Sequence, residues 1–380
     1  MPMHVAVNGW FWDQPHTGSG QYLRRLLHNL VRVAPELQLT LVLPPHVTEA
    51  DDLPQNVSVV STSGRSDKIG KVLFEQRTYP RMVAQVQADI AHVPYWGAPL
   101  SSPAKLITSV LDVIPLAIPD YSRGLGGRLY TALVSTTARG SAHILTLSEA
   151  SKLDITDYLH IPPDDITVTY LAADQAYHPR MGADRDAAVR DKYNLPENFV
   201  LAIGGFDLRK QFNQLLLAYT YVLQAEGPEY PLVIAGKEPR WGTPMFPDMR
   251  QYARDLDIAD DVHWIGYVDE ADKPSLYRLA KVFVMPSRYE GFGLPVLEAM
   301  SSGTPVVANE LSSFPEIVGD GAFLVEPGNA RAMAGAILAL LNQEPLRQTQ
   351  INAGLARATS FSWRKTAQQT LAVYEQVMRM

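Results

Sequence analysis

Two glutamates, Glu290 and Glu298, flank the run GFGLPVL, with seven residues between them. An ionised carboxylate only accepts hydrogen bonds, which suits it to holding the hydroxyls of a sugar or a ribose. Pro295 fits the first turn of a helix and Gly303 fits its end, so the spacing predicts a helix starting near Gly293. Glu298 then sits about one turn inside that helix, and Glu290 sits in the loop before it. The amides of Gly293 and Leu294 would face out of the helix start, where the aligned peptide dipoles favour an anion. Either glutamate alone reads as an ordinary helix-start acid. The whole constellation points to a phosphate at the helix start, with a sugar on one side and a ribose on the other.

A second cluster lies in GGFDLRKQF, where Gly204 opens a close backbone turn and Arg209 and Lys210 follow as adjacent cations. A departing diphosphate carries two or more negative charges and needs such partners as its bond breaks. The dipole disfavours cations at a helix start, so a solvated basic pair is the poorer reading of this placement. In HTGSGQYLRRLL, Gly18 and Gly20 form a loop that can approach a diphosphate or an acceptor, although Gly-x-Gly alone also describes a plain turn. Asp112, in TSVLDVIPL, either lines an acceptor site or caps the next element. Tyr95 and Trp96 in YWGAPL suit stacking on sugar rings and suit a core as well. Ser148 in SEASKLDI is placed to cap a helix.

Alternating elements must carry these groups. VAVNGW, LTLVLP, ADIAHVP, KLITSVLDV and HILTLSEAS read as buried strands with helical stretches between them. The pattern lapses from Tyr177 to Asn198, which reads as a connection, and resumes with FVLAIGG, PLVIAGK, VHWIGY, KVFVMPS and TPVVANE. Strand and helix in turn predict an α/β chain of two Rossmann-like domains facing a cleft, with ligands outside the carboxyl ends of the strands. The last stretch, SWRKTAQQTLAVYEQVMRM, predicts an amphipathic helix docked on one of the two cores.

Composition narrows the partners. The chain has 380 residues, enough for two domains, and a net charge of -7, which speaks against a nucleic-acid partner. It has no cysteine, so disulfides and thiol chemistry are excluded. Leu23 stands where a dinucleotide fingerprint needs its third glycine, and no GK[ST] or HExxH run occurs, so NAD, Walker-type and protein-held zinc chemistry lose support. No basic apolar leader opens the chain, which predicts a cytoplasmic location. Arg123, Arg128 and Arg139, near Leu125, Tyr130 and Leu133, form either a solvated helix face or a peripheral contact with the inner face of a membrane.

The stretch PSRYEGFGLPVLEAMSSGTPVVANE resembles the signature of the retaining GT-B glycosyltransferases of family 4, and SSFPEIVGDGAFLVEPGN resembles their next block. The resemblance is strong over the C-terminal half and loose over the N-terminal half. It implies an acceptor domain over 1–178, a donor domain over 196–362, and a final helix, about 363–380, packed back on the acceptor domain. It also implies that Glu290 contacts the donor sugar, that Glu298 binds ribose, and that Arg209 and Lys210 bind the diphosphate. Gly291, Phe292, Gly293, Leu294 and Gly204 would surround the donor, and Tyr267 and Val268 would edge the nucleobase. Gly18, Gly20 and Asp112 would face the acceptor.

The implied substrate is a nucleotide-diphosphate sugar, GDP-mannose or a UDP-hexose, with no cofactor held by the protein. The EGFGLPVLEAM wording resembles mannosyltransferases, and the implied acceptor is a glycan, a lipid-linked oligosaccharide or a small molecule. Retention would follow from front-face attack assisted by the leaving phosphate. Relatives often carry a His-Asp pair where this chain has Leu111 and Asp112. That departure favours a competing reading, a non-catalytic nucleotide-sugar or glycan-binding protein of the same fold. A sugar epimerase or phosphorylase is a third, less well supported by the paired glutamates.

Overall fold

The computed structural model describes residues 3–122 and 124–380. The chain forms two compact units, Met1–Leu171 with Ser362–Met380, and Ala172–Phe361. Among the described residues the first unit has seven strands: β1 (His4–Asn8), β2 (Gln38–Leu43), β3 (Val57–Ser61), β4 (Ile90–Val93), β5 (Lys105–Ser109), β6 (His143–Thr146) and β7 (Ile166–Val168). They lie in the order β3-β2-β1-β4-β5-β6-β7, and all pairs are parallel. The central strands are buried at consecutive positions, so both faces are covered, as their unbroken apolar runs require.

The second unit repeats the plan with β8 (Val200–Ile203), β9 (Leu232–Ala235), β10 (Val262–Gly266), β11 (Val282–Met285), β12 (Val306–Asn309) and β13 (Phe323–Val325). Their order is β10-β9-β8-β11-β12-β13, again parallel. In each sheet the chain winds outward on one side of its first strand and then crosses to the other side. The crossover leaves a crevice at the carboxyl ends of β1 and β4, and another at those of β8 and β11. Such switch points are where open α/β sheets bind ligands.

Three strands lacked a sequence signal, and all are at sheet edges. β3 is mostly exposed, and β7 and β13 have three residues each. The segment read as a connection packs within the second unit. Its helix Asp186–Lys192 is tied down by Arg278 to Asp186 at 2.6 Å, and Arg185 and Lys192 each reach the buried Asp272 at 2.7 Å. Ion pairs hold it, so hydrophobic periodicity does not reveal it. Of the residues considered for a membrane face, Arg123 lies outside the described residues. Leu125 and Arg128 are exposed, but the Tyr130 hydroxyl turns inward to Glu75 and Arg139 donates to the Leu159 carbonyl. Among the described residues no helix is long and apolar enough to cross a membrane.

The terminal helix, Trp363–Arg379, belongs to the first unit, beside the helix Gly18–Val33. A buried polar chain fixes it there. His92 on β4 meets the Tyr374 hydroxyl through Nδ1 at 2.6 Å and Ser109 on β5 through Nε2 at 2.9 Å, and Ser109 meets the Tyr22 hydroxyl at 3.1 Å. Lys105 adds a bond to the Val377 carbonyl at 2.7 Å, at the helix end that favours a cation. Burial pushes the His92 imidazole down to about 3 from its ordinary 6.5.

A depressed histidine stays neutral in the folded unit while the unfolded chain takes up a proton. Stability is therefore full above pH 6.5 and falls as the pH drops below it, by about 1.4 kcal/mol per unit. Hydrogen exchange of β4, β5 and the terminal helix should show that loss between pH 6.5 and 4, and His92→Asn should flatten it. Equal pH slopes in the two proteins would refute the role given to His92.

Candidate active site

At the carboxyl end of β8 the chain passes through Gly204 and Gly205 into a single tight turn, Leu208–Lys210, which Asp207 caps by accepting from the Arg209 amide at 3.2 Å. At the carboxyl end of β11 a loop runs from Pro286 to Gly293. Asn309 donates to the Pro286 carbonyl at 2.6 Å, and the Ser313 hydroxyl donates to the Phe292 carbonyl at 2.8 Å. Ser312 both receives the Glu290 amide at 3.1 Å and donates to the Glu290 carbonyl at 2.7 Å. These bonds set the Glu290 backbone before its side chain makes any contact.

The two segments meet through charge. Arg209 Nη1 lies 2.7 Å from Glu290 Oε2, and Lys210 Nζ lies 2.7 Å from Glu290 Oε1. Arg209 Nη1 also donates to the Tyr289 carbonyl at 2.8 Å. All three side chains are at most 13% exposed. Burial alone would raise the Glu290 carboxyl, but the facing Lys210 and Arg209 overcome it and hold the group at about 2. Gly204 belongs to the same place, because a Cβ there would touch the Lys210 stem at 3.5 Å.

The predicted helix is present as Leu294–Ser301, and Gly293 caps it with φ of +94°. A side chain at Gly293 would be strained by that dihedral and would strike the Phe314 ring at 2.8 Å. Glu298 faces away from solvent at 7% exposure and accepts the Tyr277 hydroxyl at 2.9 Å. Burial raises its carboxyl, partly offset by Lys273 and the Tyr277 bond. Gly291 and Phe292 lie in the Ser313-bound loop, and Phe292 is buried. Tyr267, just after β10, is 49% exposed, whereas Val268 is buried.

In the first unit the placement of the two glycines departs from the expectation. Gly18 and Gly20 lie in the first turn of the helix Gly18–Val33 and not in a loop before it, because Thr17 caps that helix by accepting from the Gly20 amide. Gly20 is needed for packing, since a Cβ would sit 2.0 Å from the Gln14 carbonyl oxygen. Asp112 accepts the Ile114 amide at 3.1 Å, just ahead of the short helix Ile114–Ala117, whose cap position is Val113. Ser148 caps its helix through the Ser151 amide. Tyr95 is buried, and Trp96 donates to the Val134 carbonyl. Tyr277, Ser312 and Ser313 were missed. A tyrosine or serine partner is chosen by tertiary approach, and nothing in the local sequence marks it.

The depressed Glu290 carboxyl sets a sign. Its stabilisation is complete above the ordinary 4.5 and is lost as pH falls toward 2, about 3 kcal/mol in total. In acid, hydrogen exchange of β8 and β11 should accelerate more in the natural protein than in Glu290→Gln, which starts less stable because two buried cations lose their counter-charge. Identical acid profiles would remove the triad from the stability of this unit.

The family described as Glycosyltransferase Family 4 matches residues 16–176, and that described as Glycosyl transferases group 1 matches residues 186–357. The O-antigen chain mannosyltransferase B of Escherichia coli is 32% identical over 375 residues, covering 95% of this chain and 96% of that one. The MMP alpha-(1->4)-mannosyltransferase of Mycolicibacterium hassiacum is 31% identical over 254 residues, 66% of this chain and 57% of that one. Among solved structures, Anabaena HepE in complex with UDP-glucose superposes with a TM-score of 0.73 at 18% identity, over 98% of this chain and 100% of that one, a likeness of fold. Two parallel-sheet Rossmann-like units, two matched families and 32% identity to a mannosyltransferase over 95% of the chain converge: the chain is a GT-B protein of the family 4 glycosyltransferases, glycosyl transferases group 1.

Proposed function

We propose that this glycosyltransferase is a retaining mannosyltransferase that takes mannose from GDP-mannose and adds it to the sugar end of a glycan chain. The observation that carries the reading is Glu290 held at 2.7 Å by both Arg209 and Lys210 at the β8/β11 switch point. The mannose preference draws on the mannosyltransferase that aligns over 95% of the chain. In this reading the diphosphate lies at the Gly293–Leu294 helix start and takes over part of the Arg209 and Lys210 charge. Glu290 is thereby released to accept from sugar hydroxyls, and Glu298 accepts from the ribose.

The chemical step breaks the bond between the mannose anomeric carbon and the diphosphate oxygen. The electron pair leaves with the phosphate, where Arg209 and Lys210 stabilise the new charge. The acceptor oxygen bonds to the anomeric carbon from the same face, and its proton passes to the departing phosphate oxygen. A double displacement would need a carboxylate nucleophile at the anomeric carbon. In this reading Glu290 accepts from sugar hydroxyls and Glu298, bonded to Tyr277, accepts from the ribose, so neither serves as that nucleophile. The competing reading, a non-catalytic binding protein, rests on Leu111. The Leu111 carbonyl accepts from Ser151 at 3.4 Å, and Asp112 accepts the Ile114 amide at 3.1 Å.

Thermal unfolding with a panel of nucleoside diphosphates tests the donor. Guanosine diphosphate should raise the midpoint, by about 2.7 kcal/mol of stabilisation at a hundredfold excess over its dissociation constant. Proton NMR of the product from GDP-mannose and a mannoside acceptor should show the α-anomer. A β product would refute retention, and a shift with uridine diphosphate alone would reassign the donor. A second prediction follows from the triad. Glu290→Gln removes the internal anion, so pyrophosphate should bind about tenfold tighter by calorimetry while transfer collapses. Unchanged or weaker pyrophosphate binding would mean that Arg209 and Lys210 do not hold the diphosphate.

A further inference from the structure

The crevice at the carboxyl ends of β1 and β4 is the counterpart, in the first sheet, of the place where Glu290 stands in the second. It is built as carefully. Lys71 and Glu75 reach it from the segment after β3, where the helix Lys68–Leu73 runs into one wide turn, Phe74–Thr78. That turn is a π-helix, a rare geometry frequent at functional sites. The Glu75 carboxylate is fully buried, yet its partners are not. Tyr130 donates to it at 3.1 Å, and Lys71 Nζ lies 3.5 Å from the same oxygen and 3.0 Å from the Tyr130 hydroxyl. The Lys71 side chain is 23% exposed.

Three aromatic rings surround the ammonium. Lys71 Nζ stands 5.2 Å from the Phe11 ring centre, 5.1 Å from that of Tyr95 and 5.2 Å from that of Tyr130. Two further polar groups are buried at the floor. The Tyr95 hydroxyl faces the Glu75 carboxylate and Asn8, and the Asn8 amide nitrogen has no acceptor. Burial raises the Glu75 carboxyl, and Lys71 and Tyr130 pull it back.

As core packing this arrangement makes little sense. A buried ion pair is commonly matched or bettered by apolar side chains of the same size. As a device for aiming donors it does make sense. Glu75 fixes an ammonium and a phenol at the mouth, and the ammonium keeps one N–H beyond those directed at Glu75 and Tyr130. Its charge is already balanced by Glu75, so a phosphate finds no free cation. A neutral ring with hydroxyls on its edge and C–H groups on its face finds both a donor and aromatic surface.

We infer that Lys71, positioned by Glu75 and framed by Phe11, Tyr95 and Tyr130 at the β1/β4 switch point, forms a binding subsite for a neutral hexose ring, the terminal sugar of the acceptor. The inference rests on the transferase reading and adds to it the residues that take the acceptor. Glu75 is a positioning residue, because solvent does not reach it.

Saturation-transfer NMR on the full chain, with methyl α-mannopyranoside as the probe, tests the subsite. The natural protein should pass saturation to the sugar ring protons, and Lys71→Met should weaken binding about tenfold. Phe11→Leu, which leaves the ion pair intact, should weaken it too and covers the case in which Lys71→Met fails to fold. Unchanged saturation transfer in a folded variant overturns the subsite, and so does displacement of the mannoside by inorganic phosphate, which would mark an anion site. The midpoint shift with guanosine diphosphate is read on the same sample. A shift without mannoside contact refutes the subsite alone, whereas loss of both refutes the transferase reading as well.

Discussion

The second unit depends on a carboxylate that is stable only between two cations. Glu290 is largely buried, and a buried charge without partners costs several kcal/mol. Arg209 and Lys210 remove that cost, and Glu290 in turn makes tolerable two adjacent cations near a helix start. None of the three would be comfortable alone. Their mutual need fixes the loop after β8 against the loop after β11, and both loops spend their backbone groups on the same end. Asp207 caps the first, while Ser312 and Ser313 bind the second. The result is a set of charges already aimed before any ligand arrives, which spares a diphosphate the cost of reorganising them.

The position of that triad follows from topology. In a parallel sheet whose strand order reverses, the two loops at the reversal diverge and leave backbone and side chains facing open space. Here the same reversal occurs twice, at β8/β11 and at β1/β4. Each has a short ion-paired cluster: Arg209 and Lys210 with Glu290, Arg209 lying also 3.4 Å from Asp207, and Lys71 with Glu75. The clusters differ in their surroundings. The first has two adjacent cations beside a helix start, whereas the second has a single cation ringed by aromatics.

The sequence made much of this legible, for identifiable reasons. The interior strands carry unbroken apolar runs that both-face burial demands, so VAVN and VFVM announce themselves, while VSVVS and FLV at the edges do not. Glu290, Arg209 and Lys210 stood out because charges beside glycines at the ends of apolar strands have few structural uses. The loop at Gly18 and Gly20 was misjudged because the glycines hid a helix start that Thr17 already signals as a cap. Glu75 and Lys71 were not seen at all. KIGKVLFEQ has the charge spacing of an ordinary solvated helix, and only the turn into Phe74–Thr78 carries Glu75 out of solvent.

The Leu111 substitution weighs less than it first appears. The chain uses this segment structurally: the Leu111 carbonyl accepts from Ser151, and Asp112 accepts the Ile114 amide. A protein that had lost its chemistry would have no reason to keep costly polar groups at both switch points. Yet this chain keeps a fully buried carboxylate at one and a largely buried charged triad at the other. Those groups oppose folding unless every partner is in place, and apolar replacements would relieve the opposition. Stability alone therefore does not account for the polar groups at either switch point.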